Sequence, residues 1–272
     1  MTNTAIDYFP LARYERPGIY RRRIRIETGP GWARADVEDD AHRYGLTLRH
    51  DGEVVTAIEG RALRTPWAAC SEAVGVLDRL LGMPLSPDAQ QVYRHTNGRE
   101  QCTHLLDLAG LAVAHAARGI AARQVDAEVP CVDPAQPRDA VLWIDGRETL
   151  RWTLLRNTIT APALFAGQDL GRMMPWAKLR FIDRDSLEAV LMLRRAVFVS
   201  GNRFYDLDRM ASADDTGHVL DACYVYREGV ASRAVRVQGA TLDFSGRPEL
   251  LLADLPGVCP ESVGFDLDRR QG

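Results

Sequence analysis

A cysteine and a histidine two residues apart, Cys102 and His104, open the stretch GREQCTHLLDLAGLAVAHAARG (98–119). Leu105, Leu108, Leu111 and Ala112 recur there three or four apart, a spacing that predicts a helix. A thiol at a helix start meets free N–H groups and the positive end of the helix dipole, which favour the thiolate. A second cysteine, Cys70, follows Thr65-Pro66, a pair that predicts another helix start with Thr65 as its cap. Upstream, Asp40 and His42 are spaced to lie on one side of a strand. Together Asp40, His42, Cys70, Cys102 and His104 offer the O, N and S donors of one zinc or iron ion. In a metal version Cys70, Cys102 and one histidine are ligands, while Asp40 orients a ligand or acts as base. In a metal-free version Cys102 is the nucleophile and His42 or His104 its base. Arg94 and Arg99, just ahead of Cys102, could hold a substrate carboxylate or phosphate through a guanidinium fork.

Each residue also has a plain structural role open to it. Cys70 shares a stripe with Val74 and Leu77, Asp39 and Asp40 can form turns, and the two arginines can be solvated loop charge. His115 lies eleven residues beyond His104, about 16 Å of helical rise, too far to share an ion with it.

The elements that must position these groups follow from periodicity and turn chemistry. Tyr20 to Glu27 alternates as a strand does, with Tyr20, Ile24 and Ile26 on one side and Arg21, Arg23 and Arg25 on the other. Residues 33–58 predict two strands around the turn HDGE (50–53). Three strands followed by helices predict an α+β unit over residues 1–125, a three-stranded antiparallel sheet with two or three helices on one face. The stretch AEVPCVDPAQPRD (127–139) holds three prolines and few periodic apolar residues, and predicts a boundary. Residues 126–272 then form a β-rich second domain or extension with one helix near 185–199. Hairpins are expected at Asp145-Gly146 and Glu228-Gly229, the second running on to TLDF (241–244). The N-terminal arm is expected to order by docking, the tail after Gly257 to be loose, and the polar loop 201–218, which ends at His218, to be solvated or a lid.

Composition narrows the function classes. A formal net charge of −3 over 272 residues argues against nucleic-acid binding. No apolar run is long enough to span a membrane, and the N-terminus has no signal-peptide pattern, so a cytoplasmic protein is expected. Five cysteines, the last of them Cys259, without a CxxC pair point to free thiols. Neither GxSxG, a phosphate loop nor GxGxxG occurs, so no nucleotide cofactor is expected. Lys178 is the only lysine, arginine carrying the rest of the positive charge, as in GC-rich bacterial genomes.

D-D-x-H (39–42), the HDG turn, the L-x-G at 80–82 and GR-x-x-CTHL-x-DL (98–108) resemble an uncharacterised bacterial family of unknown function over residues ~20–125. That resemblance implies no activity. A more distant similarity is to the iron–sulfur cluster scaffold fold, whose ligand positions would fall on Asp40, Cys70 and Cys102. Glu38 stands where the scaffold has its first cysteine and Gln101 where it has a histidine, while His42 and His104 are additions. This implies altered chemistry in an inherited pocket. The expectation is an enzyme of lyase or hydrolase type acting on a small organic substrate, with one Zn or Fe ion or an activated thiolate. The alternatives are a metal or iron–sulfur carrier and a non-catalytic ligand-binding module. Neither a nucleic acid nor a membrane is expected as partner, and a homo-oligomer is left open.

Overall fold

The computed structural model describes residues 17–217 and 222–256. The N-terminal arm through residue 16, His218, Cys259 and the tail after Gly257 lie outside them. Eight strands form one antiparallel sheet in the order β4-β3-β2-β1-β5-β6-β7-β8. They are β1 (Ile19–Gly29), β2 (Trp32–Asp39), β3 (Arg43–His50), β4 (Val55–Arg64), β5 (Ala122–Pro130), β6 (Arg138–Ile144), β7 (Arg147–Leu155) and β8 (Thr158–Ala161). The expected three-stranded, scaffold-like sheet is therefore overturned.

Two features produce the larger sheet. Residues 33–58 hold two turns, not one: Ala33, Ala35 and Val37 form the buried side of β2, and a tight turn at 39–42 precedes β3. The second is β5. Residues 126–130, expected in a linker, are strand, and Asp126 and Glu128 look like linker residues only because their partners are remote. They pair with the buried Arg23 and Arg21 of the neighbouring strand β1. Position 125/126 falls inside β5, and residues on both sides of it pair with β1.

Helices α2 (Thr103–Arg118) and α4 (Arg184–Ser200) cover one face of this sheet. α2 lies over β1–β3 and α4 over β5–β7. The apolar side of every central strand meets them, from Ile24 and Ile26 through Leu46 and Leu48 to Leu142 and Trp152, in a continuous core. α4 starts where expected, with the Asp183 side chain accepting from the Ser186 N–H as a cap. The short helices α1 (Val92–His95) and α3 (Met174–Arg180) pack at the margins. The segment from Thr65 on is a 3-10 run, Ala68–Leu80; Thr65 does not cap it, its hydroxyl donating to the Trp67 carbonyl instead.

The opposite face is covered by the chain's last described stretch. Phe244 and Leu251 pack on Val141 and Trp143, and the Leu251 carbonyl accepts from Arg23. The hairpin expected at Asp145-Gly146 joins β6 to β7, both turn residues having positive φ (50° and 78°). The one expected at Glu228-Gly229 is absent. Its flanks are 3-10 turns, Tyr224–Tyr226 and Ala231–Arg233, whose backbone and side chains serve a second core around Trp67 and Cys70.

Candidate functional site

One turn places the site. In β2 the alternation that buries Ala33, Ala35 and Val37 ends on Asp39, so Asp39 and not Asp40 points under α2. Two residues of turn return the chain, and His42 joins the side of β3 that carries Tyr44, Leu46 and Leu48. Arg64 clamps the turn from behind, donating to the carbonyls of Asp39 and Asp40, each at 2.7 Å. His104, in the first turn of α2, lies across the gap. Its ring stacks on His42 with centroids 4.0 Å apart, and Tyr44 flanks both rings.

Asp39 is fully engaged. Its carboxylate accepts from five donors: the Tyr20 hydroxyl, Arg22 Nη1, the His42 ring, and the N–H groups of Ala41 and His42. Burial opposes its ionisation, but the His42 ring and then Arg22 outweigh burial and hold the carboxyl well below its usual range. An ionised carboxylate only accepts, so His42 donates to it through Nδ1, at 2.9 Å, which turns Nε2 away from Asp39. Burial, then His42 and Arg22, hold the His104 ring well below the usual histidine range; it is neutral near pH 7, with Nε2 buried and unpartnered.

The cysteines lie beyond Tyr44. Its hydroxyl is raised first by burial and then by the neighbouring Cys102 and Cys70. Burial raises both thiols, outweighing for Cys102 the N–H groups of Leu105 and His104 at the helix start. Both are thiols at neutral pH, and the dipole argument for a Cys102 thiolate yields to desolvation. Asp40 points away from this group, to a buried ion pair with Arg203. Arg94 and Arg99 are exposed, in α1 and in a 3-10 turn, and neither meets the histidines. The turn, then, brings together Asp39, His42 and His104, with Cys70 and Cys102 one side chain away.

Three side chains that sequence reasoning passed over complete the site: Asp39, Tyr20 and Arg22. The signal for Arg22 was present. It sits on the Tyr20–Ile24–Ile26 side of β1, a charge on an apolar stripe, which demands a buried counter-ion.

Donor atoms of Asp39, His42 and His104 all lie within 4.8 Å of one another, a spacing that suits a metal ion. Two imidazole nitrogens are available to one; Asp39, already committed, fits the part of a carboxylate that orients a ligating histidine.

Residues 25–118 match a family described as a protein of unknown function, DUF2889. The chain carries a DUF2889 domain. That domain is about a third of the 272 residues. It begins inside β1 and ends with α2, so it contains Asp39, His42, Tyr44, Cys70, Cys102 and His104 but neither Tyr20 nor Arg22. No curated protein matches the chain. No helix among the described residues is long and apolar enough to cross a membrane.

Proposed function

We propose that this protein is an enzyme of lyase or hydrolase type that acts on a small organic substrate by proton transfer at His42. The Asp39–His42 contact carries this reading. A carboxylate fixed by Tyr20, Arg22 and two backbone N–H groups sets the tautomer and direction of the imidazole, leaving Nε2 to take a proton from substrate or water and to return it. Asp39 stabilises the imidazolium formed on the way. Tyr44 supplies a neutral hydroxyl beside the neutral ring of His104. The four free thiols Cys70, Cys102, Cys131 and Cys223 support a reducing, cytoplasmic setting, and the arginine-for-lysine bias supports a bacterial one.

The test is turnover. Native protein and His42→Gln are incubated with a panel of small hydroxy acids, esters and thioesters and followed by mass spectrometry. Consumption by the native protein alone is expected; equal consumption by both would remove His42 from the reaction.

The buried, unpartnered His104 Nε2 supports a second reading, in which His42 and His104 hold one Zn or Fe ion that activates water. Elemental analysis separates the two. One equivalent of metal, lost in both His42→Ala and His104→Ala, would favour the metal enzyme. Visible absorbance after anaerobic addition of iron and sulfide would favour a carrier instead.

A further inference from the structure

Between β1, α2, α3 and α4 lies a cavity of about 360 Å³, within the size range of small-molecule sites. Its charge is one-sided. Arg22, Lys178, Arg194 and Arg195 line it against a single acid, Asp107. That acid is already spent, accepting from Arg195 Nε at 2.7 Å and from the Tyr93 hydroxyl. Lys178, the only lysine of the chain, has no carboxylate partner among the described residues. Arg194 gives Nε to the Leu170 carbonyl and rests over the Phe198 ring, which leaves its terminal nitrogens to the cavity. Arg22 forms the floor. It is 3% exposed, Nη1 is held by Asp39, and its Nε is buried without any partner. A buried guanidinium N–H left without an acceptor is costly, and an anionic acceptor relieves it. The remaining walls are hydrocarbon, chiefly Leu108, Leu111, Leu191 and Met192.

We infer that this cavity binds an aliphatic monocarboxylate, with its carboxylate on Arg22 and its chain along α2 and α4. A phosphate or polyanion fits less well, because one guanidinium reaches the floor and the walls are apolar. Arg22 joins the cavity to Asp39, so the bound carboxylate lies beside the Asp39–His42 pair. That the ligand is also the substrate rests on the proposed function; that it binds does not.

Calorimetry on the full-length protein with sodium octanoate tests the inference, with octylamine and inorganic phosphate as comparison probes. Saturable one-to-one binding of octanoate, with neither comparison probe binding, is expected. Replacing Lys178 and Arg194 together by Met removes two of the four cations that line the cavity and should weaken octanoate about tenfold, with circular dichroism checking that loss of the Arg194 bond to the Leu170 carbonyl leaves the fold intact. His42→Gln should bind octanoate as the native protein does, so a failed catalytic reading leaves this binding intact. Absence of saturable octanoate binding, equal binding of phosphate, or an unchanged affinity in the double variant would each overturn the inference.

Discussion

Arg22 and Asp39 stand directly opposite each other on β1 and β2, and Arg22 Nη1 donates to Asp39 Oδ2 at 2.6 Å. Both are nearly sealed from solvent, 3% and 0% exposed. Removing one partner strands the other. Arg22→Met should cost about 3–5 kcal/mol in urea unfolding, and Arg22→Met with Asp39→Asn should recover a substantial part of that loss. Simple additivity of the two substitutions would show that the pair is not coupled.

The pH dependence of stability has a sign set by burial. His115 is fully buried, and desolvation lowers it from 6.5 to about 4. The unfolded chain binds a proton at this residue between those values and the folded one does not. The contribution of His115 is therefore complete above pH 6.5 and is lost as pH falls toward 4, by roughly 3 kcal/mol. His104 acts in the same direction. Asp40 acts oppositely: desolvation raises it to about 7, so it costs stability progressively as pH rises from its ordinary range to 7. Stability of His115→Gln relative to native protein should thus improve on acidification from pH 6.5 to 4. A constant difference across that range would contradict the assignment.

Gly110 offers a test of packing against propensity. On propensity alone Gly110→Ala in α2 should gain up to about 1 kcal/mol. A Cβ at this position, however, would strike the Ala89 carbonyl of the 3-10 turn Ala89–Gln91, which is backbone and cannot swing aside. The expected result is a loss of about 1–3 kcal/mol, read from thermal or urea unfolding.

The thiols report on the electrostatics at the start of α2. Cys70 and Cys102 are buried and raised, so alkylation by iodoacetamide at pH 8, mapped by peptide mass, should be slow in native protein and rapid in urea. Fast native labelling of Cys102 would restore the thiolate nucleophile.

Local rules were legible in the sequence wherever neighbours settle the outcome. The alternation of β1, the Asp145-Gly146 turn and the apolar spacing of α4 all depend on residues a few positions apart. The rest depended on remote partners. Asp126 and Glu128 become strand residues only because Arg23 and Arg21 neutralise them from another part of the chain. The Gly229 turn was correctly located, yet its flanks are drawn to Trp67 and Cys70 and never pair with each other. Within the candidate site, His42 and His104 were singled out by type and spacing, and the structure brings their rings together. Asp40 was preferred to Asp39 because the strand register was not known, and one residue of register exchanges the core for the far side of the sheet.

β1 has a further consequence. Nine of its residues, Ile19 to Glu27, pair with β5, and eight pair with β2. The DUF2889 match starts at residue 25 and stops before β5. A polypeptide trimmed to residues 25–118 would lack Tyr20 and Arg22, leaving the Asp39 carboxylate with neither its phenol nor its guanidinium. Its remnant of β1 would show bare N–H and C=O groups on the side that β5 now covers, an invitation to self-association. The segment that recurs as a family is smaller than the unit able to neutralise its own buried charge.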